Sequence, residues 1–106
     1  SHLEARSSTS DTLLLHASQN GHLEITKFLV TEARADLEAA DNKGMTALLT
    51  ASCHGHLNVF QYLLQDANAD LNATDNDHNN PLHWASIGGH LEIAKFLVTT
   101  ASMDLE

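Results

Sequence analysis

The sequence predicts an all-α solenoid, a linear stack of three helix–turn–helix units joined by hairpin-like loops. Three observations point there. Gly-His-Leu occurs at 21–23, 55–57 and 89–91, a step of 34 each time, and Asp36, Asp70 and Asp104 keep the same step. Each Gly-His-Leu leads into apolar residues at helical spacing, and segments rich in Asp, Asn and Gly separate the units. No unit can bury its apolar stripe alone, so self-similar neighbours must cover it.

The repetition is close. Residues 21–31 (GHLEITKFLVT) and 89–99 (GHLEIAKFLVT) differ only at Thr26 against Ala94. Leu3, Leu37, Leu71 and Leu105 hold the period, as do Ala5, Ala39 and Ala73. The units fall at about 3–36, 37–70 and 71–104 of a single domain spanning 1–106.

The first helix of each unit is expected to start at Thr12, Thr46 or Asn80, whose short side chains can cap first-turn amides. Pro81 follows at the first helical position, where a missing N–H costs nothing. The helix runs through Ala17, Ala51 or Ala85 and stops near Gly21, Gly55 or Gly89, which can take a positive φ. The second helix carries its stripe at i, i+3 and i+4: Ile25, Phe28 and Leu29, then Val59, Tyr62 and Leu63, then Ile93, Phe96 and Leu97. The spacers (EARADLEAADNKG from Glu32, DANADLNATDNDHN from Asp66) suit turns and a short hairpin.

Composition narrows the function. A chain of 106 residues makes one small domain. Aromatics are only 5%, sparse for a conventional core but sufficient for an array built on Leu, Ile, Val and Ala. A net charge of −9, with Arg6, Lys27, Arg34, Lys43 and Lys95 scattered, argues against nucleic acid and favours a basic or neutral protein partner. Cys53 is the sole cysteine, which fits a reducing interior, cytoplasm or nucleus. No apolar run approaches the roughly 20 residues that a membrane span needs.

These motifs resemble the ankyrin-repeat family over essentially the whole chain. The family's helix-opening Thr-Pro-Leu-His appears as Thr12-Leu13-Leu14-Leu15, Thr46-Ala47-Leu48-Leu49 and Asn80-Pro81-Leu82-His83. Its Gly-His-Leu-Glu turn is Gly21 to Glu24, Gly55 to Asn58 and Gly89 to Glu92. Its Gly-Ala-Asp-Val-Asn-Ala exit resembles Arg34 to Ala39, Asn68 to Ala73 and Ser102 to Glu106. The resemblance implies a module that binds another protein through hairpin tips and the exposed face of the first helix, which together line a concave groove.

The chain departs from the family's pattern in places. The common unit has about 33 residues, and the extra residue here is expected just past the second helix, between Val30 and Asp36. The family's glycine is missing there, with Ala33, Ala67 and Ala101 near its place. The hairpin glycine is intact at Gly44, but His78 and Ser10 stand at its equivalents. His2-Leu3-Glu4-Ala5 and Asp104-Leu105-Glu106 match the repeat in the same phase, and neither end shows the polar face of a capping repeat. The chain is therefore expected to be a slice of a longer array, or to stack its ends on other molecules, including end to end on itself.

His22, His56 and His90 recur one unit apart, too far to share an ion, and are expected to hydrogen-bond neighbouring turns. Cys53-His54-Gly55-His56 lacks the second cysteine of a usual structural zinc site. Asp75 to Asn80 superficially looks like a calcium loop, but Asn80 and Ser86 stand where such a loop needs Gly and Glu. The sequence has no nucleophile elbow and no phosphate-binding glycine loop. No catalytic, metal or cofactor residue is assigned, and the chain is read as a non-enzyme. Asn72 sits in a segment similar to those that asparaginyl hydroxylases modify in this family, and its plain reading is a hairpin hydrogen-bonding residue.

What remains is surface. The hairpin tips carry Ser8, Thr9, Asp11, Asn42, Lys43, Met45, Asn76, Asp77 and Asn79. On the first helices His16, Thr50 and Trp84 are equivalent, with Gln19, Cys53 and Ile87 three residues on and on the same faces. His54 adjoins Cys53. Excluding Ser8 and Thr9, these form the expected partner-binding set. Trp84, the only tryptophan, is either an interface anchor or a cover over the junction of units two and three. The expected function is protein–protein recognition. Two alternatives stay open: a structural element stacking on other repeats, or the targeting arm of an enzyme whose catalytic domain lies outside this chain.

Overall fold

Six helices pair into three units in the computed structural model, which describes residues 2–99 and side chains from Ser10 onward. The exit expected at Ser102 to Glu106, the end of the third unit with Ala101, and the repeats of Asp104 and Leu105 lie outside the described residues. Unit one is α1 (His2–Asn20) with α2 (Leu23–Thr31). Unit two is α3 (Ala47–His54) with α4 (Leu57–Gln61), and unit three is α5 (Pro81–Gly88) with α6 (Leu91–Thr99). The molecule measures 44 × 27 × 20 Å, drawn out along the stack. No strand occurs among the described residues; the hairpins are closed loops of a few backbone bonds.

Helix starts follow the sequence in two units and not in the first. Thr46 Oγ1 accepts the Leu49 amide at 3.3 Å. Asn80 Oδ1 accepts the His83 amide at 2.8 Å while the Asn80 amide donates to His83 Nδ1 at 3.1 Å, closing a reciprocal cap with Pro81 inside it. Thr12 does not stand at a helix start, because α1 runs unbroken through the positions of Ser8, Thr9, Ser10 and Asp11. The expected first hairpin does not form. Residues 2–20 hold neither Gly nor Pro, Ser10 replaces the hairpin glycine, and Leu3-Glu4-Ala5-Arg6 are good helix formers.

The helix stops are where the glycines predict them: Gly21, Gly55 and Gly89 have φ of 74°, 77° and 73°. Two of them meet a second demand. A Cβ on Gly21 would lie 2.6 Å from His56 Nδ1, and one on Gly55 would collide with the His90 ring. The histidine of each following unit lies flat over the preceding turn, and its Nε2 donates to that unit's last-turn carbonyl. His56 reaches Gln19 O at 2.8 Å, and His90 reaches Cys53 O at 2.8 Å. The expectation that these histidines bond neighbouring turns holds for His56 and His90, and no such bond of the His22 ring is seen among the described residues.

The thirty-fourth residue is absorbed inside the last turn of the second helix rather than past it. In unit two that turn widens to π geometry over Tyr62–Asp66, with the Ala67 amide donating to Tyr62 O, five residues back. Unit one repeats the bond from Ala33 N to Phe28 O. The left-handed residue that follows is Arg34 (φ 56°) and Asn68 (φ 61°), so the family's glycine place falls on them and not on Ala33 or Ala67.

The core belongs to the junctions between units. α3 lies between α1 and α5 and buries six successive residues, Ala47 to Ser52. Val59, Phe60 and Leu63 are fully buried beside them. Phe60 meets Phe96 of the next unit edge-on at 6.1 Å, and Ser52 Oγ donates to Pro81 O at 2.6 Å. Lys27 Nζ sits 5.9 Å from the Tyr62 ring centroid, a cation–π contact across the first junction. Leu48→Ala should cost about 2–5 kcal/mol in urea denaturation, because the cavity opens at a junction. Ile25→Ala on the exposed face of unit one should change stability by less than about 0.5 kcal/mol. Equal losses would contradict a core shared between units.

Candidate functional site

Two aspartates 34 residues apart build the hairpins. Asp41 Oδ1 accepts the amides of Lys43 (2.9 Å) and Met45 (3.0 Å). Asp75 Oδ1 accepts those of Asp77 (2.9 Å) and Asn79 (2.9 Å). Backbone bonds from Asp41 N to Met45 O and from Asp75 N to Asn79 O, both 3.1 Å, close the loops. Gly44 (φ 83°) and His78 (φ 67°) occupy equivalent left-handed positions, so the geometry persists where the glycine does not. The hairpins are then tied together: Asn76 N donates to Lys43 O at 2.9 Å and Asn76 Nδ2 to Asn42 O at 2.9 Å.

Asp75 carries a further load. Its Oδ2 accepts Asn79 Nδ2 at 3.3 Å and Trp84 Nε1 at 3.0 Å, so one buried carboxylate holds both its hairpin and the indole on α5. Burial alone would raise its pKa. The bonds from Asn79, Asp77 and Trp84 outweigh burial and hold the carboxyl below the usual carboxylate range.

Between hairpin tips and first-helix faces runs an open groove of about 650 Å³. Asn42, Lys43, Asn76 and Asp77 line it from the tips, and Gln19, Thr50, Cys53, His54 and Trp84 from the helices, with Met45, Asp41 and Asp75 completing it. A second depression of about 500 Å³ continues it toward unit one, where His16 joins Gln19, Asn42, Lys43 and Thr50. Trp84 is half-buried; Met45 and Thr50 are buried and offer little surface.

The remaining members of the expected set fall elsewhere. Asp11 is in α1, and its Oδ1 accepts the Asp36 amide at 2.6 Å. The Asp70 amide likewise donates to a carboxylate, Glu38 Oε2, at 2.9 Å one repeat on. Asn79 is taken up by Asp75. Ile87 is exposed but does not line either depression. The side chains of Ser8 and Thr9 lie outside the described residues. Asn72 donates its amide to Asp70 Oδ1 at 2.9 Å, in a turn.

Sequence reasoning missed Asp41 and Asp75 as site residues. Their common 34-residue step was visible, but which oxygens face a loop amide and which face Trp84 is a property of the folded hairpin. Around the groove Asp41, Asp75 and Asp77 stand against Lys43, so its field is acidic. Cys53 is half-buried, and burial pushes its thiol up, leaving it protonated and a poor nucleophile or ligand. His56 is committed to Gln19 O, and no cluster of three or more His, Cys, Asp or Glu with metal-holding geometry occurs among the described residues. Among those residues, too, no helix is long and apolar enough to cross a membrane.

The depressed pKa of Asp75 sets a direction for acid sensitivity. Its contribution is fully present above the unfolded value near 3.8 and is lost as pH falls through the lower folded value. Acid titration read by the single tryptophan should show Trp84 leaving its site below about pH 4. Asp75→Asn should lower stability at neutral pH and flatten that limb. An unchanged acid limb in the variant would remove Asp75 from this role.

A family model described as ankyrin repeats (three copies) matches residues 2–75, and one described as ankyrin repeat matches residues 77–106. No curated protein matches the chain.

Proposed function

The chain belongs to the ankyrin-repeat family, whose repeats are generally protein–protein interaction modules, and from that premise we propose that it grips a partner protein in the groove between hairpin tips and first-helix faces. The observation that carries the reading is the groove itself. Ten of the fourteen residues expected from sequence, Gln19, Asn42, Lys43, Met45, Thr50, Cys53, His54, Asn76, Asp77 and Trp84, border one cavity although they come from two hairpins and three helices.

Rigidity supports the same reading. The two hairpins are bonded to each other, and the indole is fixed by Asp75, so a partner meets a preformed surface and little ordering entropy opposes binding. Trp84 supplies a large apolar face at low entropic cost. The acidic tips favour a partner segment with basic or neutral side chains, and steer its approach more than they fix its identity. The chain acts as a recognition module, with no catalytic role of its own.

Trp84→Ala with Asp77→Ala should weaken the captured partner at least tenfold, about 1.4 kcal/mol, in calorimetric titration. Glu92→Ala, on the exposed side of α6, should leave affinity unchanged. Thermal melts separate the two effects of losing the indole: Asp77→Ala alone should keep the melting temperature and still lower affinity. Affinity lost on the α6 side and retained in the groove variants would overturn the assignment.

A further inference from the structure

The groove is polarised along its length. Its unit-three end holds Asp75, Asp77 and Trp84, while the neighbouring hairpin contributes Lys43. Asp75 sets the placement of the other two at that end. Its Oδ1 accepts the Asp77 amide at 2.9 Å, and its Oδ2 accepts Trp84 Nε1 at 3.0 Å. A carboxylate and an indole are thus anchored to one buried acid.

Both groups keep binding capacity that the fold does not use. Trp84 is half-buried, and its single donor is taken by Asp75, so what it offers a partner is carbon ring. An aromatic ring attracts cations through the negative potential of its faces. The carboxylate on Nε1 strengthens that potential, because it draws the donor proton and leaves electron density on the ring. Asp77 is exposed, and its carboxylate makes no hydrogen bond or ion pair among the described residues. Asp75 adds charge but takes no direct part, since its two oxygens already accept four bonds.

On the premise that the groove is the partner's seat, we propose that the partner is a protein segment presenting an arginine there, stacked on the Trp84 ring and paired with the Asp77 carboxylate. A guanidinium is flat, so it lies on a ring and still donates in its own plane to a carboxylate. An ammonium is compact and more tightly hydrated, and serves the two contacts together less well. Lys43 repels the cation from the adjoining hairpin and keeps it at the unit-three end. The segment continues toward unit one, where Gln19 and Asn42 meet it with neutral hydrogen-bonding groups. The net charge of −9 draws a cationic segment in.

Random peptides displayed on phage and selected on the folded chain supply the probe. The enriched peptides should share an arginine at one place, and their titration should shift the NMR signal of the Trp84 indole N–H, the only indole in the chain. Replacing that arginine by citrulline, which keeps the shape and removes the charge, should weaken binding about tenfold, and replacing it by lysine about threefold. Asp77→Asn should cost the arginine peptide about tenfold and leave the citrulline peptide unchanged, a coupling that a damaged fold would not produce. The Asp77 side chain bonds nothing else among the described residues, so the melting temperature should stay where it is. Groove-binding peptides with no common arginine, or an arginine peptide that binds Asp77→Asn as tightly, would overturn the arginine assignment and leave the groove reading intact. Peptides that shift α6 signals and not Trp84, or a selection that enriches nothing, would count against both.

Discussion

No helix of this protein is hidden by its own partner alone; neighbouring units complete the cover, and everything else in the structure depends on that. α3 shows the consequence most fully: with α1 on one side and α5 on the other, it buries six residues in a row, polar Thr50 and Ser52 among them. A helix of eight residues would be marginal by itself. The apolar stripe on each second helix is completed by the preceding unit, which buries Val59 and Ile93 where Ile25 is half exposed. Stability therefore accrues at junctions, and the registration of those junctions must be specified residue by residue.

The glycine–histidine pair supplies that registration. The turn glycine is needed for its left-handed backbone, and also because a ring from the next unit occupies the space a side chain would take. The ring in turn donates to a carbonyl that the helix end leaves open. One contact thus ends a helix, satisfies a backbone acceptor and fixes the spacing between units. With spacing fixed, the hairpins come within bonding distance of each other. The groove is a product of that ladder: Asn76 joins the two tips, Asp75 pins Trp84, and the surface between them is held open.

Much of this was legible in the sequence because repetition is arithmetic. The 34-residue step placed Gly21, Gly55 and Gly89 at helix ends, and Thr46 and Asn80 at helix starts, where the structure has them. The first unit is where the reading failed. Thr12, Ser10 and Asp11 match their counterparts by position, yet the segment holds neither Gly nor Pro and stays helical. Asp11 accordingly bonds a backbone amide instead of presenting itself at a tip. The burial of Met45 and of Asn79's side-chain bond was equally invisible, since both depend on how a loop folds back on its own aspartate.

The sequence by itself determined the class of architecture, the period, the helix-ending turns and the acidic character of the surface, because each is written in local residue type or in periodic spacing. Tertiary structure alone decided which apolar residues are core and which are end face. Ile25, Val59 and Ile93 occupy one position of one repeat, yet the first is half exposed and the others are buried. The physical reason is that burial in a stack is a property of the neighbour. It also decided that Asp75 holds Trp84 in place, since residues nine apart meet only after a hairpin and a helix start have brought them together.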